Sequence, residues 1–306
     1  MVSRLGLGTM TWGRDTDEHE AADQLRSFLD AGGTLVDTAA VYAAGDSERV
    51  LGGLIGTLVR REELVLATKA GVRFIHGDRQ MGCSRAALLD DLDASLRRLG
   101  VDHIDLWQLH TWDPSTPLEE TLTALDIALS SGRVRYVGIS NYSGWQTALA
   151  ATLQRGISKA EIVSTQVEYS LLSRGVESEV LPAAAALGIG VLAWSPLGRG
   201  VLTGKYRNGI PVDSRGASDH FAAFVEPYLD ERSGRVVDGV MAAASGLGCA
   251  PLEIALAWVR DREEVASAIV GARTGAQLRG ILLSEEVELP DAVRRALDEI
   301  SGAERS

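Results

Sequence analysis

Eight short runs rich in β-branched and aliphatic residues recur along this chain with helical patterns between them, and that alternation restricts the fold more than any other feature. The runs are LGLGT (5–9), TLVDT (34–38), LVLATK (64–69), IDLWQLH (104–110), VRYVGIS (134–140), IVSTQVE (162–168), GVLAWS (190–195) and VASAIVG (265–271). Leu88, Leu92, Leu96 and Leu99, between the third and fourth runs, fall on one face of a 3.6-residue repeat. Alternating strands and helices predict a parallel sheet, and eight units fit a closed α/β barrel of the (β/α)8, or TIM, type. An open doubly wound sheet is the alternative. Helix starts are marked as well. Thr116, Pro117 and Glu119 read as N-cap, first helical position and capping acid, and Thr274 with Gln277 repeats that logic after the eighth run.

The seventh unit is interrupted by a long polar stretch from Leu197 to Tyr228, centred on RNGIPVDSRGASDH. It is too long for a plain connection and reads as a functional loop over the barrel mouth. A last amphipathic helix, near residues 291–300, is expected to pack outside the barrel. At 306 residues the chain fits one barrel domain over 1–306.

Composition narrows the class of function. A net charge of −12 argues against nucleic acid or an anionic membrane surface as partner, while leaving room for a local basic pocket. No apolar run approaches the roughly 18 to 20 residues of a membrane span, and MVSRLGLGTM lacks the pattern of a secretory leader. Cys83 and Cys249 fit neither a disulfide framework nor a metal site, which agrees with a reducing compartment. The expected location is cytoplasmic. Of 30 basic residues only Lys69, Lys159 and Lys205 are lysines. Where arginine fills nearly every basic position, a retained lysine marks a place for a compact, titratable ammonium.

Three runs end on chemistry. Asp37 closes the second, Lys69 the third and His110 the fourth, with Tyr42 in the loop after Asp37. Residues at the C-terminal ends of parallel barrel strands converge on one mouth. Lys69 ends an apolar strand, where an unpaired ammonium is costly, so it calls for a carboxylate such as Asp37. A phenol beside that ammonium is expected to have a lowered pKa, and His110 to orient an acceptor oxygen through a ring N–H. The set suits protonation of an oxygen that becomes alkoxide-like.

These residues sit in motifs that together resemble the aldo-keto reductase superfamily, similar to its bacterial and potassium-channel β-subunit-like members. The motifs are GLGTMTWG (6–13), VDTAAVY (36–42), the strand ending in Lys69, DLWQLH (105–110), VGISN (137–141), STQVEYS (164–170), WSPLGRGVLTGKY (194–206) and GART (271–274). The resemblance implies a (β/α)8 barrel that reduces aldehydes and ketones with a nicotinamide cofactor, usually NADPH, with NADH as the alternative. It implies Tyr42 as general acid, tuned by Asp37 and Lys69, with His110 positioning the carbonyl. Ser140, Asn141 and Gln166 match positions that hold the nicotinamide carboxamide, and Trp194 the aromatic on which the ring stacks. Ser195, Leu197, Gly198, Arg199, Gly200 and Lys205 match the segment that wraps the pyrophosphate. Gly271, Arg273, Thr274 and Gln277 match the adenosine-phosphate region, and Gly8, Thr9 and Met10 the approach of the first strand to the cofactor.

The residues support that assignment on their own terms. A glycine-rich turn after the seventh run lets backbone approach phosphate oxygens, and a helix start at Thr274 preceded by Arg273 is a natural anion site. The Gly6-Leu7-Gly8 sequence is a weak dinucleotide-fold signal, since the third glycine of that fingerprint is replaced by Thr11. Trp12, Phe74 and Trp112 fall in loops after the first, third and fourth runs and are expected to rim the substrate pocket.

Two departures from the family pattern stand out. Members commonly begin with a β-hairpin that plugs the barrel floor, whereas this chain starts almost at its first strand. Many relatives place an acid and an asparagine shortly after the position of Gln277, where this chain has Gly280 and Ile281. The expected partner is a small aldehyde or ketone. The alternative is a non-catalytic subunit on the same barrel that senses the nicotinamide cofactor, and the complete Asp37, Tyr42, Lys69 and His110 set favours catalysis. An unrelated barrel lyase or isomerase would leave the cofactor set unexplained.

Overall fold

The computed structural model describes residues 2–75, 78–156, 159–212, 214–218 and 220–302. Eight parallel strands close into a barrel in the order β1 (Leu5–Gly8), β2 (Leu35–Asp37), β3 (Val65–Ala70), β6 (Ile104–Leu109), β7 (Val134–Ser140), β8 (Ile162–Glu168), β9 (Gly190–Trp194) and β10 (Val265–Val270). The ring is sealed by β1 against β10, with Leu5 opposite Ala268 and Leu7 opposite Val270. All eight expected runs are strands, and the fold is the expected (β/α)8 barrel.

Burial follows from two-faced strands. Inward residues Leu35, Ala67, Leu106, Leu192 and Ile269 form a compact inner cluster, with Val2 and Val65 packed against it. Outward residues such as Trp107 join Leu25, Phe28, Leu88, Leu92 and Trp258 in the larger layer between barrel and helices. Leu88, Leu92 and Leu99 form the buried face of α3 (Arg85–Leu99). Inward glycines keep the barrel narrow. A Cβ on Gly6 would lie 2.6 Å from Ile269 Cδ1, so Gly6 serves packing. A Cβ on Gly138 would lie 2.3 Å from Ser164 Oγ and 3.1 Å from the Ser164 carbonyl oxygen. Gly138→Ala is expected to destabilise the barrel by about 1–3 kcal/mol, read as a lower urea midpoint; an unchanged midpoint would show that Ser164 moves aside freely.

Helix starts divide between expectation and correction. Thr274 caps α10 (Gly275–Leu282) by accepting the Gln277 backbone N–H, and Gln277 Oε1 accepts from the Arg273 N–H at 3.0 Å. Thr116 does not cap α4 (Leu118–Ser130). Its hydroxyl donates to Asp113 Oδ2 at 2.8 Å, and Pro117 takes the N-cap position. The carboxylate draws the Thr116 side chain into the loop before the helix, and α4 is left without a side-chain cap.

The segment after β3 is a hairpin, β4 (Val72–Ile75) and β5 (Asp78–Met81), outside the barrel. After β9 the chain makes a 3₁₀ turn over Gly198–Thr203, another over Arg215–Ala217, α7 (Ala222–Val225) and a final turn over Glu226–Tyr228. This insertion lies over the barrel mouth as expected. The last helix, α11 (Asp291–Ser301), packs outside the barrel, where Asp298 Oδ1 accepts from Trp258 Nε1 at 2.9 Å. Among the described residues, no single helix is long and apolar enough to cross a membrane.

Candidate active site

The C-terminal ends of the strands surround a cavity of about 530 Å³. Asp37 ends β2, Lys69 lies one residue from the end of β3, and His110 follows β6. Tyr42 is carried by a tight turn whose next residues, Ala43 and Ala44, have φ of 47° and 54°. Among the described residues, the non-glycine residues with positive φ are Ala43, Ala44, Asn141, Ser195 and Arg199. The last three line the cavity and the first two follow Tyr42. Left-handed backbone costs about 1–2 kcal/mol per residue outside glycine, so backbone strain is concentrated at this mouth.

Behind the cavity wall Lys69 Nζ, fully buried, donates to Asp37 Oδ2 at 2.5 Å, to the Thr38 carbonyl at 3.0 Å and to Tyr42 Oη at 3.3 Å. Burial lowers the Lys69 pKa, but Asp37 and Tyr42 outweigh it, so the ammonium stays charged above its ordinary value. The phenol corrects the sequence expectation. Burial raises the Tyr42 pKa, Lys69 opposes it and Asp37 adds to it, and the net shift is upward. Desolvation of a phenolate exceeds the pull of an ammonium whose charge Asp37 already offsets. Tyr42 is therefore a protonated donor in the free site.

The His110 ring stands edge-on to Tyr42, with centroids 6.0 Å apart. Burial, then the charges of Lys69 and Arg79, lower its pKa to about 3. Nδ1 is buried without a hydrogen-bond partner, so the ring proton belongs on Nε2, the one nitrogen left to meet a ligand. A histidine neutral when folded and protonated when unfolded contributes stability that is complete above about pH 6.5 and is lost as pH falls toward 3. We expect His110→Asn to flatten the decline in stability between pH 6.5 and 4 relative to the parent, measured by urea unfolding; parallel curves would refute the burial argument.

The opposite wall is built from amides. Asn141 Nδ2 donates to the His110 carbonyl and to Ser140 Oγ, each at 3.0 Å, and Asn141 Oδ1 accepts from Trp194 Nε1 at 3.0 Å. Ser140 Oγ donates to the Gln166 carbonyl at 2.9 Å. Gln166 Nε2 donates to Asp37 Oδ1 at 2.9 Å and to Gln108 Oε1 at 3.3 Å. Both amide nitrogens are engaged within the protein, so the wall offers acceptor oxygens to a ligand.

The far end of the cavity is basic, with Lys205, Arg215 and Arg273 among its lining. Burial lowers the Arg215 pKa, with Arg273 and Arg14 pushing the same way and Tyr206 and Asp15 opposing them. Arg199 organises the insertion. Its guanidinium pairs with Glu168 at 2.8 and 2.7 Å, donates to the Phe224 carbonyl and lies 3.8 Å from the Phe224 ring.

Comparison with known proteins bears on this arrangement directly. The aldo/keto reductase family model matches residues 4–302. The chain belongs to the aldo/keto reductase family. It is accordingly an oxidoreductase. It is 36% identical over 308 residues to a Bacillus subtilis protein named uncharacterized oxidoreductase YrpG, covering 98% of this chain and 92% of the relative. A rice protein named probable voltage-gated potassium channel subunit beta is 36% identical over 284 residues, covering 90% of this chain and 85% of the relative. The B. subtilis aldo-keto reductase YhdN is 32% identical over 285 residues, covering 92% and 84%.

Against the family motifs, the cavity wall holds Asp37, Tyr42, His110, Gly8, Met10, Ser140, Asn141, Gln166, Trp194, Ser195, Leu197, Arg199, Gly200, Lys205, Gly271, Arg273 and Gln277. Gly280 and Ile281, the two departures, line it too. Lys69, Thr9, Gly198 and Thr274 stand behind the wall. Thr9 Oγ1 pairs with Ser47 Oγ at 2.7 Å, a Cβ on Gly198 would lie 2.7 Å from Leu172, and Thr274 is the cap of α10.

The three expected rim aromatics are outside the wall. Trp12 is fully buried, its Nε1 donating to Gln24 Oε1 at 3.0 Å, so it belongs to the core beneath α1 (Glu18–Asp30). Phe74 is 58% exposed on β4. Arg73 is drawn to Asp91 of α3, and strand alternation turns its neighbour Phe74 the other way. Trp112 packs edge-on to Tyr142 and Trp145, at 5.2 and 5.4 Å. Arg215 and Phe224 line the cavity without having been singled out in the sequence. The only signal for them was the length of the insertion that carries them.

Proposed function

We propose that the protein reduces aldehydes or ketones to alcohols with NADPH, Tyr42 serving as the general acid. The observation that carries this reading is the buried Asp37–Lys69–Tyr42 chain, 2.5 and 3.3 Å at its two links, opening beside neutral His110 into a cavity whose other end is basic. The residues fit the cofactor. Acceptor oxygens on Gln166 and Asn141 suit a carboxamide NH2, and Trp194 offers a ring face. Gly200 at φ 93° has the backbone bared beside Lys205, and Arg273 with Arg215 suits a phosphate monoester on the adenosine. When bound, NADPH supplies the hydride.

The chain's own part is positional and protolytic. His110 Nε2–H aligns the carbonyl oxygen, and Tyr42 Oη delivers its proton as that oxygen gains charge. Lys69 stabilises the resulting phenolate, an effect absent from the ground state and present when charge develops. Asp37 keeps Lys69 charged and in place. The test is aldehyde-dependent loss of NADPH absorbance with a panel of aromatic aldehydes, short sugars and dicarbonyls. Turnover supports the reading; cofactor binding without turnover on any substrate would favour a non-catalytic, cofactor-sensing subunit, and the rice relative is named as a channel subunit.

A further inference from the structure

One residue beneath the cavity belongs to none of the roles above. Gln108, in β6, is fully buried and lies outside the cavity wall, under Asp37 and Gln166. Its Nε2 donates to Asp37 Oδ1 at 3.2 Å, and its Oε1 accepts from Gln166 Nε2 at 3.3 Å. Gln166 sends its other N–H to Asp37 Oδ1 at 2.9 Å.

This ring of three side chains has only one sense. A carboxylate donates nothing, so Asp37 forces the NH2 group of Gln108 toward itself, and the Gln108 carbonyl is left for Gln166. Gln166 then has both N–H groups engaged inward and its Oε1 alone to offer the cavity. Without Gln108 the Gln166 amide would hang on a single bond, with its second N–H unsatisfied and able to turn toward a ligand.

We propose that Gln108 is a positioning residue that sets the specificity of the cofactor site. It locks the Gln166 amide with its oxygen outward, so that the site selects a pyridine ring bearing a carboxamide NH2 over one that lacks it. The inference rests on the reading that this wall receives the nicotinamide.

The test measures binding. Dissociation constants for NADP and for its 3-acetylpyridine analogue, in which a methyl ketone replaces the carboxamide, are obtained by tryptophan fluorescence titration. The parent is expected to prefer NADP by about tenfold, the scale of one buried polar group satisfied or left unpaired. Gln108→Met is expected to bring the ratio of the two constants to within about threefold of unity. Gln108→Asn, which keeps the amide but withdraws it by one methylene, is expected to do the same and serves if the apolar variant does not fold. A general packing defect would weaken both ligands alike and leave the ratio where it was, and that result overturns the proposal. A parent that binds neither NADP nor NAD, or binds NADP and the analogue equally, overturns the reading of the wall and the inference together. A parent that discriminates, with variants that discriminate as well, overturns the inference alone.

Discussion

Tyr42→Phe is expected to lower kcat for carbonyl reduction by roughly two to four orders of magnitude while leaving the dissociation constant for NADPH within about threefold of the parent. The substitution removes only the hydroxyl. The ring that stands edge-on to His110 at 6.0 Å remains, so the cavity keeps its shape. What disappears is the proton that Lys69 and Asp37 hold ready at 3.3 Å from the ammonium. Because Tyr42 is a protonated phenol in the free site, no neighbour is poised to replace it. His110, with a pKa of about 3, carries no exchangeable charge near neutrality. Steady-state kinetics with one aldehyde and a fluorescence titration of NADPH would decide. Turnover at the parent rate would move the acid elsewhere; loss of cofactor binding would instead show that removing the hydroxyl had disturbed the cavity.

Lys69→Met is expected to cost about 3–5 kcal/mol of stability in addition to abolishing turnover, because it strands a buried carboxylate. Asp37 is 2% exposed and its partner 1%. Gln108 and Gln166 still donate to Asp37 Oδ1, which places the expected cost toward the lower end of that range. The diagnostic is a second variant. Asp37→Asn combined with Lys69→Met removes the stranded charge and is expected to recover much of the lost stability without recovering activity. Urea unfolding of the two variants against the parent reads this out. If Lys69→Met unfolds at the parent midpoint, the pair is not an electrostatic anchor of the fold.

The four residues proposed for the chemistry were legible because each sits at or just after the end of a strand visible as an apolar run, and the three lysines sharpened that view. Lys69 and Lys205 are in or behind the cavity wall, while Lys159 is an outer residue paired with Asp126 at 2.7 Å. Trp12 lies in the core and Phe74 outside the cavity wall for different physical reasons. Trp12 looked like a loop residue, but Gln24 of α1 accepts its N–H and α1 buries the ring. Phe74 follows an arginine whose ion pair with α3 sets the orientation of the hairpin. Neither partner is near in sequence to the residue it decides.

The number and order of strands, the closed barrel, the family and the four groups at the mouth can be read from the order of residues alone. Those features rest on local periodicity and on residue types whose chemistry has few substitutes. The direction of the Tyr42 pKa, the tautomer of His110, the outward acceptors of Gln166 and Asn141, and the presence of Arg215 and Phe224 in the wall emerge only in the folded chain. Each of these depends on burial or on hydrogen bonds between distant strands, and a balance between desolvation and charge exists only once those strands are side by side.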